Sequence, residues 1–289
     1  YAMFAEIAKG GMASVHLGRL RGSAGFSRTV VIKRMLAELT EQQEFVAMFV
    51  DEARIASRIQ HPNVVPTLDV VRDGKELFMV MDYVHGASLD RLLELTSAAG
   101  GTVPIPVLSA IMVQALLGLH AAHEAVSDTG APLKIVHRDF SPHNLMVDTN
   151  GQARVADFGV AKAREKLHRT GEGQVKGKWG YMSPEQVSGE DIDRRSDLFS
   201  AGVVLWEALT LRRLFNDENV ATIAVRIAFD EVEPPSRLAP DCPPALDAVA
   251  RARRRRRMVR RATHGRGDRH RTLRRRLARP ARRRGAAAV

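Results

Sequence analysis

The sequence predicts an α+β fold, strand-like over about the first 84 residues and mainly helical from there to about residue 250. Three observations carry this expectation. Residues 4–20 alternate loosely about a small-residue turn, and 29–33 is a β-branched run, so both read as strands. Residues 41–60 space Phe45, Met48, Phe49, Ala53, Ile55, Ala56 and Ile59 along one helical face. After Gly86 the composition turns helical, with Ser88 placed as an N-cap.

A chain of 289 residues can bury a sizeable core and fits one large domain or two lobes. Its 45% apolar and 27% charged content is ordinary for a soluble globular protein. The single Cys242 excludes an internal disulfide and suits a reducing, cytoplasmic setting. The opening Tyr1-Ala2-Met3 reads as mid-gene, and neither a signal peptide nor a lipidation motif is seen there. Residues 103–123 could mimic a membrane span, but Pro104, Pro106, Gln114 and His120 favour a buried core helix.

The formal charge of +11 is a property of the tail. Residues 251–289 hold 18 arginines and one acid, Asp268, out of 44 basic and 33 acidic residues overall, so residues 1–250 carry a net −6. Nucleic-acid binding is therefore an expectation for the tail alone.

The chemistry concentrates in residues 135–159. The apolar runs 145–147 and 153–156 read as two short strands joined by a turn at Thr149-Asn150-Gly151. Asp139 and Asn144 then lie on the loop before the first strand, and Asp157 just after the second, so two acids and an amide converge. Phosphoryl transfer needs such equipment: a carboxylate to receive a hydroxyl proton and hard oxygens for Mg²⁺.

His137-Arg138-Asp139, Asn144 and Asp157-Phe158-Gly159 together resemble the protein kinase motif set, and the details are most similar to bacterial Hanks-type serine/threonine kinases. The resemblance implies a two-lobed kinase fold, with residues 1–84 as the small antiparallel β lobe carrying one key helix and 85–250 as the helical lobe. It implies ATP and Mg²⁺ between the lobes, Asp139 as catalytic base, and Asn144 and Asp157 as metal ligands. Lys33, at the end of the β-branched run, would bind phosphate oxygens, held by Glu52. The nucleotide would be lined by Ile7, Ala8, Gly10, Gly11, Val15, Val31, Lys33, Met81, Asp82, Val84 and Met146. Residues 160–180 fall where kinases have their activation segment, with Thr170 the only Ser or Thr between Phe158 and Met182 and the candidate for autophosphorylation. Asp197 matches the family acid that holds the catalytic loop from behind.

Several positions depart from the family. Ala8 and Ala13 replace the first and third glycines of the glycine-rich loop, which should stiffen it. Ser141 stands where the catalytic loop has lysine, and Lys178 where the later segment has threonine. Lys178 is either a solvent-facing lysine or the replacement for the charge that Ser141 lacks. Ser183-Pro184-Glu185 replaces Ala-Pro-Glu. The helix whose arginine pairs with that glutamate is not recognisable after Ala252, so 251–289 reads as a disordered or out-of-frame Arg-rich tail. The expected activity is Ser/Thr phosphorylation of proteins, itself included. The rival readings are an inactive scaffold and nucleic-acid binding through the tail; protein substrates are not legible.

Overall fold

The computed structural model describes residues 1–158 and 176–250. The loosely alternating N-terminal run folds as a hairpin of β1 (Ala2–Lys9) and β2 (Ala13–Arg21). It continues through β3 (Ser27–Met35), β4 (Thr67–Asp73) and β5 (Glu76–Asp82) into a five-stranded antiparallel sheet of order β1-β2-β3-β5-β4. Helix α1 (Gln43–Ala56) crosses between β3 and β4. Its buried residues, Phe49, Glu52, Ala53 and Ala56, follow the three-and-four spacing of a single helical face. Glu52 is thus a carboxylate on an apolar stripe, and it needs a cation.

From β5 the chain passes into a second sheet of order β6-β7-β8, formed by Gly86–Ser88, Leu145–Asp148 and Ala153–Val155. The β7–β8 turn is the expected one. Gly151 takes φ +79°, and the Asp148 carboxylate accepts from the N–H groups of Asn150 and Gln152 at 2.8 and 3.0 Å.

The helices are α2 (Leu89–Ala98), α3 (Ile105–His123), α4 (Lys176–Trp179), α5 (Pro184–Ser188), α6 (Arg194–Thr210), α7 (Val220–Phe229) and α8 (Ala245–Ala250). Ser88 caps α2 as expected, accepting from Arg91 N at 3.2 Å. Helix α6 is buried along almost its whole length, from Ser196 to Leu209, which makes it the axis of this half. Helix α3 is long and apolar enough to cross a membrane by length and composition. Here Leu108, Ile111, Met112, Ala115, Leu119 and Ala122 form its buried stripe, packed toward β8 and α6.

A strap joins the two halves. The Asn63 carbonyl accepts from Val155 N at 2.8 Å, and its side-chain amide donates to Ala153 O at 2.8 Å. Gly118 on α3 permits this approach, since a Cβ there would lie 2.4 Å from the Asn63 carbonyl oxygen.

Candidate active site

The loop before β7 is held from behind by one buried carboxylate. Asp197, on the first turn of α6 and wholly buried, accepts from His137 N at 2.8 Å and from Arg138 N at 2.9 Å. His123 of α3 bonds the same carboxylate through Nε2 at 2.7 Å. Two backbone donors and an imidazole on one acid fix the loop in a conformation in which Arg138 takes φ +65°, outside the usual range for a non-glycine residue.

His137 packs into this base and is itself oriented. Its Nδ1 accepts from Asp139 N at 3.2 Å, so Nε2 carries the proton and donates to Ala156 O at 3.0 Å. Its ring lies 4.7 Å from that of Phe158. The loop and the residues after β8 are thereby tied together, as the hairpin reading required.

Asp139 and Asn144 meet directly. The Asn144 amide nitrogen donates to the Asp139 carbonyl at 2.8 Å and to its carboxylate at 3.2 Å. On the side of the large sheet, Lys33 Nζ of β3 lies 2.6 Å from Glu52 Oε1 and 3.2 Å from Asp157 Oδ1. The Lys33 and Glu52 side chains are only 8% and 4% exposed, which makes this a desolvated ion pair. Asp157 adopts φ +56°, a left-handed conformation that a short polar side chain tolerates. The Lys33–Glu52 pairing, expected only by resemblance, is thus present in the geometry.

The residues expected to line a nucleotide divide into two groups. Val31, Met81, Val84 and Met146 belong to one apolar cluster that runs from the large sheet to β7. Val15 lies opposite Lys33 in the β2–β3 register. Ile7, Ala8, Gly10 and Gly11 stay exposed at the outer edge, Ile7 at 55%, and are not gathered into the cluster. Asp82 pairs with Arg28 at 2.8 Å, and its N–H is already given to Pro66 O at 3.0 Å. Only the rest of its backbone is left for a base edge.

The donor set suits magnesium. Asn144 uses its amide nitrogen on Asp139, which leaves the amide oxygen, and Asp157 adds a carboxylate. No group of three or more His, Cys, Asp or Glu that could hold a metal occurs among the described residues. Mg²⁺ fits such a sparse site, because it takes one or two protein oxygens and completes its shell with phosphates and water.

Further residues at the site were not foreseen. Ser183 and Gln186 form a capping box on α5, and the same Gln186 amide donates to Arg138 O at 2.8 Å. The Ser-x-x-Gln spacing signals the cap, but not the reach to the loop. Beside the loop, Glu207 accepts from Tyr181 Oη at 2.6 Å and Leu214 N at 2.9 Å, and pairs with Arg213 at 3.1 Å. Arg213 also bonds Tyr181 and reaches Asp90 at 3.1 Å, and His143 Nδ1 sits 3.1 Å from Asp90. Burial pushes the Glu207 carboxyl up, against the lowering effect of these bonds, while the His143 bond holds Asp90 down. Buried Glu185, expected to miss its family arginine, is met by the Ser196 hydroxyl at 2.6 Å. Lys178 donates to the Asp139 carboxylate at 3.3 Å and so turns toward the site. Gly159, Thr170 and the 251–289 tail lie outside the described residues.

Comparison with known families agrees with this geometry. The protein kinase domain model matches residues 1–259, a little past the point where the motifs fade. The chain is 43% identical over 249 residues to "Tyrosine-protein kinase MasK" of Myxococcus xanthus, covering 86% of this chain and 38% of that protein. It is 33% identical over 249 residues to "Serine/threonine-protein kinase PrkC" of Bacillus subtilis, covering 86% and 36%. It is 31% identical over 249 residues to "Serine/threonine-protein kinase PknL" of Mycobacterium tuberculosis, covering 86% and 59%. The chain therefore spans less than two thirds of these relatives' own lengths, from 36% to 59%. It belongs to the protein kinase domain family, among its bacterial members. That family works with ATP and Mg²⁺.

Proposed function

We propose that this chain transfers the γ-phosphoryl group of ATP to serine and threonine hydroxyls of proteins, itself included. The acceptor oxygen forms a bond to the γ-phosphorus, the bond to the β–γ bridging oxygen breaks, and ADP leaves. The hydroxyl proton passes to the Asp139 carboxylate, which Asn144 holds in place. Lys33, fixed between Glu52 and Asp157, binds phosphate oxygens. The adenine lies against Val31, Met81, Val84 and Met146, with Val15 over it. Asn144 and Asp157 are the residues that would hold Mg²⁺, which when bound neutralises charge on the β- and γ-phosphates.

One observation carries this reading: a buried lysine paired to Glu52 reaches Asp157 just after the β7–β8 hairpin, and a loop carboxylate with its amide partner Asn144, held from behind by Asp197, lies just before it. An intact set of this kind also speaks against the scaffold reading. Incubating the chain with Mg²⁺ and radiolabelled ATP, beside Asp139→Asn, tests it. Label in the wild type and none in the variant is expected; equal labelling of the two would overturn it.

A second reading of the acceptor has its own support. A relative 43% identical is named a tyrosine kinase, and Ser141 and Lys178 both differ from the serine/threonine pattern. Phosphoamino-acid analysis of the labelled protein decides. Phosphoserine or phosphothreonine upholds the first reading, and phosphotyrosine alone the second.

A further inference from the structure

We infer that Lys178 is a catalytic residue of the proposed transfer, its ammonium supplying positive charge to the migrating phosphoryl group from the acceptor side. This rests on the reading above and adds a residue to it. Lys178 lies on α4, 39 residues after Asp139, yet its Nζ reaches Asp139 Oδ2 at 3.3 Å. A settled charge-assisted N–H···O bond is about 2.7–2.9 Å long. Lys33 and Glu52, at 2.6 Å, are at least that close; Lys178 and Asp139 are not. The Lys178 side chain is 30% exposed against 8% for Lys33. Lys178 is therefore loosely held beside the proton acceptor, with three N–H donors and the freedom to share them with an incoming oxygen.

The catalytic loop provides the second observation. Ser141, two residues after Asp139, is 1% exposed, and its hydroxyl has no hydrogen-bond partner. That position supplies no charge. Lys33 is committed to Glu52 at 2.6 Å on the nucleotide side, with Asp157 a longer second contact at 3.2 Å. The phosphoryl group carries its charge on three equatorial oxygens while the phosphorus moves in line from the leaving oxygen to the acceptor. A cation on the acceptor side, fixed in a partly dry site, lowers the barrier for that passage. Lys178 meets the need without gaining or losing a proton: the hydroxyl proton still goes to Asp139, and ADP still leaves.

The alternative role is a staple, in which Lys178 only fastens its segment to the loop. Kinetics on the full chain with Lys178→Met, Lys178→Arg and Lys178→Ala separate the two. For Lys178→Met, kcat should fall about tenfold or more while ATP affinity stays within about twofold, the pattern for an interaction made in the transition state. Lys178→Arg should recover most of the rate. Methylammonium should raise the rate of Lys178→Ala in proportion to its concentration and leave the wild type unchanged. Thermal melts identify any variant that fails to fold, in which case the arginine and amine results decide. A wild-type kcat in Lys178→Met overturns the assignment, and so do equal losses in Met and Arg without amine rescue. A wild-type chain that transfers no phosphate overturns the function itself.

Discussion

The loop before β7 and the β1–β2 hairpin are held in opposite ways. The loop before β7 has its backbone N–H groups bound by Asp197, a carbonyl bound by Gln186 and an imidazole wedged beneath it. The β1–β2 hairpin has one pairing partner, β3; β1 is almost wholly exposed, and its turn is closed by Gly10 N to Ala13 O at 2.8 Å. The difference shows where accuracy is needed. Proton transfer fails when a carboxylate moves by an ångström, so its loop is fixed from three sides. In the proposed function the hairpin would serve as a lid over phosphates, which has only to offer N–H groups at close approach and can stay at the edge of a sheet.

Asp139→Asn strikes the fixed side hardest. Turnover should fall by about 10²–10⁴-fold while ATP affinity changes only a few-fold, because the loop and the nucleotide contacts survive. Autophosphorylation beside fluorescent-nucleotide binding checks this, and near-normal turnover would show that Asp139 is not the base.

Lys33→Met carries the test to the point where the two sides meet. It leaves Glu52 buried without its cation, for which a loss of about 3–5 kcal/mol is expected. At about 2–4 °C per kcal/mol for a domain of this size, the melting temperature should drop by well over five degrees. An unchanged melt would mean that water reaches the pair.

Asp197→Asn tests whether the loop is truly held from behind. An amide in that place turns an NH₂ toward a backbone N–H, at a cost of about 1–3 kcal/mol. Both stability and kcat should fall together. Loss of stability alone would separate the loop's conformation from its chemistry.

Ala8→Gly should produce the smallest change. A glycine at this exposed position near the end of β1 costs at most about 1 kcal/mol of backbone entropy, so KM for ATP should move by less than about fivefold. A larger shift would show that the alanine sets the shape of the lid, and the contrast between the two sides would lose its basis.

Legibility in the sequence follows the same division. The β1–β2 hairpin, β3, α1 and the β7–β8 hairpin were readable because period and turn chemistry are local properties, whereas β4 and the three-residue β6 were not singled out. Glu52 could be placed on its helix, and its burial follows from the spacing of Phe49, Ala53 and Ala56. Partners distant in sequence were not readable without the family. Arg213 and Asp90 are 123 residues apart, and nothing in either segment points to the other. Lys178 was legible only as a charge gained where Ser141 had lost one; its contact with Asp139 depends on how α4 folds back. The exposure of Ile7 was equally hidden, since an alternating edge strand reads the same whether or not its face is covered.

The bond from His137 to Asp197 spans 60 residues of chain. At the usual pace of about 5–20 residues per second, a ribosome needs about 3–12 s to make that interval. Lys33, Glu52, Asp139, Asn144 and Asp157 have all been synthesised before the acid that holds the loop exists. The chain is therefore born with its candidate site side chains complete and their support missing, and, on the proposed function, competence for transfer comes in the order of synthesis after the groups that would grip the nucleotide.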